Sequence, residues 1–250
     1  MNSQAAQPTA TIYRMVMDKH VCPWGLKALH LLRKHGYNVD DRWLTAREQT
    51  NAFKAELGVQ TTPQVFIDGK RIGGHDDLRR FLGLKVRDPN AVSYVPVIAV
   101  FATAAGLALA ASFAAFGTPL TIRAAEWFVA FAMMILAMLK LQDVQSFSTM
   151  FLGYDLLARR WVPYATLYPF LEWTAGALMA AHWLDVVSIP VALIIGSIGV
   201  VSVFYAVYVQ ERDIKCACVG GSSRVPLGFV SLSENIAMVA MALWMLGKYL

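Results

Sequence analysis

Thirty-one consecutive residues, Ala91 to Thr121, carry no charged side chain. Their core, Val92–Phe116, is long enough to cross about 30 Å of hydrocarbon as a helix. Four further apolar stretches follow: Ala124–Leu141, Trp161–Leu184, Val186–Val209 and Val225–Gly247. The pattern predicts five membrane spans. Three of them carry ionisable groups: Glu126 and Lys140 in the first of the four, Glu172 and His182 in the next, and Glu234 in the last. Hydrophobic residues make up 57% of the chain and charged ones 16%, against roughly 25% charged in an ordinary soluble domain. That balance excludes a disordered, collagenous or disulfide-stapled chain.

The charge is unevenly distributed. Residues 1–90 hold 14 Lys and Arg against 9 Asp and Glu, whereas residues 91–250 hold 8 of each. A basic soluble domain, residues 1–88, is therefore expected ahead of a membrane domain, residues 89–250. The basic excess invites a nucleic-acid reading. No run of Lys or Arg exceeds two residues, so a cytosolic domain beside an anionic leaflet is the simpler account, without a nucleic-acid partner. Met1–Ala10 lacks the basic and apolar regions of a secretory signal. With the N-terminus inside, the inner loops 142–160 and 210–224 and their flanks hold Lys140, Arg159, Arg160, Arg212, Lys215 and Arg224. The outer segments hold only Arg123 and Lys248. The positive-inside rule thus favours N-in, C-out across the inner (plasma) membrane.

The soluble part reads βαβαββα. Strands are expected at Thr11–Met17, Val39–Leu44, Gln64–Ile67 and Lys70–Ile72, the last two forming a hairpin around Asp68-Gly69. Helices are expected at Pro23–His35, Ala46–Leu57 and Asp76–Leu82. Cys22 falls between the first strand and the first helix, where free backbone N–H groups and the helix dipole favour a thiolate. Lys19 and His20 add positive charge nearby. Thr62-Pro63 precedes a strand, where a cis peptide would turn the chain back toward the thiol. Gly73-Gly74-His75-Asp76-Asp77 opens the last helix and offers backbone N–H groups to a carboxylate.

Lys19-His20-Val21-Cys22-Pro23-Trp24, Thr61-Thr62-Pro63 and Gly73-Gly74-His75-Asp76-Asp77-Leu78, in this order on this pattern, make residues 10–84 resemble a glutaredoxin. The resemblance implies an α/β thioredoxin-like fold and glutathione as cofactor and partner. It implies Cys22 as nucleophile, Lys19 on the glycyl carboxylate of glutathione and the Thr62 backbone, before Pro63, on its cysteinyl part. Asp76 and neighbouring amides would take the γ-glutamyl end, with Pro23, Trp24, Gly74 and His75 completing the site. The chain departs from the dithiol family at Gly25, where that family has a second cysteine. It also lacks the Cys-Gly-Phe-Ser motif of cluster-binding members, so no iron–sulfur cluster is carried over. Cys22 must then be resolved by glutathione or by a cysteine elsewhere in the chain.

Cys216-Ala217-Cys218 lies in the loop expected between the last two spans, on the cytoplasmic side. Two thiols one residue apart can close a strained disulfide, and strained disulfides tend to be catalytic or regulatory. Lys215 beside them favours thiolate. Paired thiolates also suit a soft metal ion such as Cu(I), Hg(II) or Zn(II). From about Ala124 the chain resembles the MauE-type methylamine-utilisation membrane proteins and, more distantly, DoxX-like four-helix proteins. Lys140-Leu141-Gln142-Asp143, Pro169, Glu172 and Cys216-Ala217-Cys218-Val219-Gly220 carry that resemblance. The family is associated with thiol–disulfide chemistry in maturing partner proteins, so a redox partner protein is implied.

Glu172 and Glu234 are functional candidates by their depth in the membrane. One reading has them protonated and hydrogen-bonded between helices. In the other, one of them serves protons to the cysteine pair. Lys140 and Asp143 belong at the inner face, where Lys140 is expected to snorkel to the interface. Val144–Leu157 is either an amphipathic segment in the inner interface or an extension of the second span. The functional expectation is a membrane-anchored, all-α transmembrane bundle whose Cys216/Cys218 pair exchanges electrons with Cys22 and glutathione. The competing expectations are a carrier or sensor of soft metal and a small-molecule transporter with a regulatory glutaredoxin domain.

Overall fold

A computed structural model describes residues 8–86, 88, 91–214 and 225–248. It divides into two compact units, Met1–Pro89 and Asn90–Leu250.

In the first unit, β-rich Thr9–Met17 (β1) is the central strand. It runs parallel to Asn38–Leu44 (β3), with Thr9 opposite Asn38 and Met15 opposite Leu44. On its other side Gln64–Ile67 (β4) pairs antiparallel, and Lys70–Gly73 (β5) extends the sheet. Asp68 and Gly69 both have positive φ, at 47° and 78°. Aspartate and glycine tolerate that region, which is why this dipeptide closes a two-residue hairpin. The two-residue strand His20–Val21 (β2) folds back on the end of β1 and delivers the chain to Cys22. Three helices follow the expected periodicity: Pro23–Lys34 (α1), Arg47–Leu57 (α2) and His75–Phe81 (α3). Ile12, Val65, Ala28, Leu32 and Leu78 form the centre of the core between the sheet and the helices.

The described residues of the second unit are mostly helical. Its long helices are Val95–Phe116 (α4), Ile122–Leu141 (α5), Pro163–Ala181 (α8), Asp185–Phe204 (α9) and Phe229–Leu246 (α10). The short ones are Val144–Leu152 (α6) and Leu156–Arg160 (α7). A π-helical turn, Tyr205–Val209, continues α9. Four described helical segments are long and apolar enough to cross a membrane: α4, α5, α9 with its π-helical turn, and α10. The remaining expected span is the 19-residue α8, whose Pro169, Glu172, Trp173 and two tyrosines lower its apolarity.

Close approach of helices rests on small residues, as is usual where lipid offers no hydrophobic gain on association. A Cβ on Gly176 of α8 would lie 2.9 Å from the Ala130 carbonyl oxygen of α5. Trp127 Nε1 of α5 donates to the Ala180 carbonyl of α8 at 2.9 Å, so the two helices run antiparallel. On α9, Gly196 faces Met238 and Val239 while Gly199 faces Asn235, so α9 and α10 are antiparallel as well. The end of α5, the end of α9 and the start of α10 therefore share one end of the bundle.

The segment 144–157 is neither a continuation of α5 nor a helix left on the bundle's surface. Asp143 accepts from Ser146 N at 2.9 Å and caps a new helix, and Phe147 and Phe151 are buried against Tyr168 of α8. These two aromatics bury their apolar area against the tyrosines of α8 inside the protein.

A Cβ on Gly199 would fall 2.0 Å from Asn235 Oδ1. Gly199→Ala is expected to displace Asn235 and destabilise the bundle by about 1–3 kcal/mol, read as a lower Tm in detergent. The double variant Gly199→Ala/Asn235→Ala is expected to recover part of that loss.

Candidate active site

Cys22 is the cap residue of α1, with Pro23 in the first turn, where a missing N–H costs nothing. Its backbone N–H donates to the Met15 carbonyl at 3.1 Å, and its own carbonyl accepts from Leu26 N at 3.1 Å. These bonds fix the residue between β1 and the helix. The side chain is 4% exposed. Its Sγ lies 4.0 Å from the Thr62 carbonyl oxygen, within the longer reach of a thiol donor. Thr62-Pro63 is a cis peptide.

Beside the thiol, Trp24, Thr61, Thr62, Pro63, Gly74, His75, Asp76 and Asp77 line a cavity of about 290 Å³. Six residues singled out from the sequence are thus brought together: Trp24, Thr62, Pro63, Gly74, His75 and Asp76. Pro23 and Lys19 do not line this cavity; Lys19 lies in the exposed turn between β1 and β2. The two aspartates have divided roles. Asp77 accepts from Gly74 N at 2.9 Å and from Arg80 at 2.6 Å, holding the start of α3. Asp76 pairs with His75 Nδ1 at 2.8 Å, and the His75 ring lies 5.1 Å from that of Trp24. Lys27 sits 4.4 Å above the Trp24 ring.

The position three residues after Cys22 has a structural explanation. A Cβ on Gly25 would lie 2.7 Å from Cβ and 3.1 Å from Cδ of Arg14. Arg14 is held there by a bidentate pair with Asp41, at 2.7 Å on both oxygens. Trp43 Nε1 adds a third bond to Asp41 at 3.0 Å. Burial pushes the Asp41 carboxyl up, but the hydrogen bonds from Arg14 and Trp43 and the Arg14 charge outweigh it. The group is held below its ordinary range. Neither this pair nor the two-residue β2 was legible as part of the site. Arg14 and Asp41 lie 27 residues apart on neighbouring strands, and only the parallel register of β1 and β3 joins them.

Among its described residues, the membrane unit holds two buried charge clusters. Near the end of α5, Lys140 Nζ lies 2.7 Å from both carboxylate oxygens of Glu172 and 2.8 Å from Oε1 of Glu234. Lys140 is 2% exposed, Glu172 0% and Glu234 6%. Lys140 thus ties α5 to α8 and α10 and does not snorkel. The long stem that would let it reach the interface is directed inward, because two buried carboxylates need a cation. Asp143 stands apart from the cluster as the α6 cap. At the opposite end of α5, buried Glu126 accepts from Arg123, Trp244 Nε1 and Lys248, and pairs with His182 Nε2 at 3.1 Å. Sequence placed Glu126 near the end of one span and His182 within the next without pairing them. Cys216 and Cys218 lie outside the described residues. The chain entering and leaving that segment is joined by Leu227 N donating to the Ile214 carbonyl at 2.7 Å.

These features define an α/β domain with an N-capping cysteine beside a cavity, carried on a helical membrane bundle. The chain belongs to the MauE family: the model described as methylamine utilisation protein MauE matches residues 118–248. The glutaredoxin family model matches residues 11–72, as the resemblance implied. Over 66 residues the chain is 38% identical to a hybrid peroxiredoxin of Haemophilus influenzae, covering 26% of this chain and 27% of that protein. It is 33% identical over 72 residues to an uncharacterised monothiol glutaredoxin of Caenorhabditis elegans, covering 26% and 48%. It is 38% identical over 60 residues to glutaredoxin 1 of Rickettsia prowazekii, covering 23% and 63%. The chain spans less than two thirds of the length of each of these relatives.

Two outcomes follow from the Arg14 pair. Gly25→Cys is expected to cost about 1–3 kcal/mol through overpacking, measured by thermal unfolding, rather than to install a working dithiol. For the Arg14–Asp41 pair, the unfolded carboxyl titrates near about 3.9 and the folded one lower. Its contribution is therefore complete above the unfolded value and is lost as pH falls through the folded value. Asp41→Asn is expected to remove that part of the acid sensitivity while lowering stability at pH 7.

Proposed function

We propose that the chain is a membrane-bound thiol–disulfide oxidoreductase in which Cys22 passes electrons between glutathione and the Cys216/Cys218 pair. The observation that carries this reading is the placement of Cys22. A single thiol stands at the start of α1, with the Thr62 carbonyl 4.0 Å from its sulfur and a cavity lined by Trp24, Thr62, Pro63, His75 and Asp76 beside it. The cavity, about 290 Å³, is at the small end of the range for ligand sites, which suits part of a tripeptide. The matches to glutaredoxins support the same chemistry.

The Cys22 thiolate attacks the sulfur of a disulfide and forms a mixed disulfide, and the displaced sulfur leaves as thiolate. Position 25 is glycine, so the mixed disulfide is resolved by a thiol from outside the domain. Trp24, His75 and Asp76 would hold the glutathionyl part while Thr62 and Pro63 align its backbone. Lys19 would meet a carboxylate as it enters. Glutathione reducing the membrane pair is the natural direction in a reducing cytosol. The short connection from α3 to α4 keeps the effective concentration of Cys22 near the membrane domain on the order of millimolar. This arrangement requires the soluble domain and the cysteine loop on the cytoplasmic face of the plasma membrane.

The test is thiol trapping with a maleimide reagent in the wild type and in Cys22→Ser. Added glutathione disulfide is expected to oxidise Cys216 and Cys218 in the wild type and to do so at least about tenfold more slowly in the variant. A redox state that ignores both the substitution and glutathione disulfide would refute the exchange, and stoichiometric metal bound by the same two thiols would point to a carrier instead.

A further inference from the structure

The soluble domain carries a second and larger cavity, a groove of about 930 Å³ lined by residues of α1 and α3 and by Lys85 just beyond α3. That volume is near the top of the range for ligand pockets. Its apolar part includes Trp24, 51% exposed, and Leu26, 48% exposed. Around these stand Lys27, His30, Arg79 and Lys85. We infer that this groove docks an acidic, partly apolar segment of a protein substrate, the segment beside the cysteine that reacts at Cys22. The inference rests on Cys22 acting as a nucleophile toward glutathione-linked disulfides, and not on its exchange with Cys216 and Cys218.

The charge of the groove is one-sided. Three cations and a histidine meet one carboxylate in the lining, Asp76, which is already paired with His75 at 2.8 Å. Every aspartate and glutamate of the chain is among the described residues. None of them forms an ion pair with Lys27, His30, Arg79 or Lys85. Arg79 instead donates from Nε and Nη2 to the Lys85 carbonyl, at 3.0 and 2.7 Å, which fixes the guanidinium and holds the chain after α3 beside it. Lys27 lies over the Trp24 ring, so an ammonium and an exposed apolar surface are presented together. Such a surface complements a segment that alternates carboxylates with apolar side chains.

Position selects a substrate segment over other anions. Trp24, His75 and Asp76 line both this groove and the smaller cavity beside Cys22. Whatever fills the groove therefore abuts what is held at the thiol, as the residues flanking a bound cysteine must. The protein's own cysteine segment is not the occupant: residues 214–224 include Lys215 and Arg224 and no acidic residue. A tethered segment reaches Cys22 by effective concentration alone, whereas a free protein has to bind. In the reaction the Cys22 thiolate attacks the glutathione sulfur of a glutathionylated cysteine. The S–S bond breaks and the protein's sulfur leaves with the electron pair, to be protonated by water. A glutathione thiolate then cleaves the Cys22 mixed disulfide, which yields glutathione disulfide and the free Cys22 thiolate.

The test uses the full chain in phosphatidylcholine nanodiscs and a fluorescent peptide rich in glutamate and leucine, followed by anisotropy. Two control peptides carry glutamine or lysine in place of glutamate. The acidic peptide is expected to bind about tenfold more tightly than the glutamine one, to weaken at high salt, and to protect Lys27 and Lys85 from acetylation read by mass spectrometry. The double variant Lys27→Glu/Lys85→Glu, at two exposed positions, is expected to lose the preference. When the peptides are glutathionylated on a single cysteine, kcat/KM for the acidic one is expected to fall about tenfold in Lys85→Glu. Reduction of the mixed disulfide of glutathione and mercaptoethanol is expected to be unchanged in that variant. Equal binding of the three peptides, no protection of the two lysines, or a preference that survives the double variant overturns the inference. Protection conferred by phosphatidylglycerol in the disc and not by peptide assigns the groove to the membrane and overturns it as well. A wild type that reduces neither the peptides nor the small mixed disulfide overturns the thiol–disulfide reading, while binding and protection still decide whether the groove docks an acidic segment.

Discussion

Lys140 is the tie on which the membrane unit depends. Its ammonium joins three helices that sequence separates by 32 and 94 residues, and it does so at a depth where all three charged groups are buried. Either carboxylate left alone at that depth would cost several kcal/mol, as would the lysine. The three groups therefore constrain one another, and with them the mutual register of α5, α8 and α10. A second cluster on Glu126 repeats the arrangement near the other end of α5. Between the two, glycine and alanine contacts set how closely the helices approach.

The soluble domain is organised around a different constraint, the delivery of one cysteine to a helix start. β1 supplies the backbone acceptor for Cys22 N–H, β2 turns the chain, and Pro23 starts α1 without an unpaired donor. Arg14, clamped by Asp41, fills the space beside Gly25. The same packing that makes the domain a single-thiol one also buttresses the first turn of the helix under Cys22. A monothiol site needs a resolving thiol from elsewhere, and the chain carries two more cysteines in its membrane half.

Much of this was readable from the sequence because the signals are local. Turn chemistry at Asp68-Gly69, a proline after Cys22, and the Gly-Gly-His-Asp-Asp run before a helix each specify a short stretch of backbone, and the strand and helix positions followed within a few residues. The uncharged stretch of residues 91–121 likewise fixed a span. What stayed hidden depends on long-range pairing. Lys140 reads as a snorkelling residue until α8 and α10 bring Glu172 and Glu234 to it. The aromatics of 144–157 read as lipid-facing until Tyr164 and Tyr168 supply a protein surface for them. Gly25 reads as a mere absence until Arg14 is seen against it.

The central claim is that Cys22 and the membrane cysteines form one electron path. It is tested most directly by removing the resolving thiol in the full chain, as Cys216→Ser or Cys218→Ser, adding oxidant, alkylating free thiols and sequencing the cross-linked peptides by mass spectrometry. The account predicts a peptide joining Cys22 to the remaining cysteine of the pair in at least one variant. Cys22 found only on glutathione, in both variants and under conditions that oxidise the pair in the wild type, would contradict it.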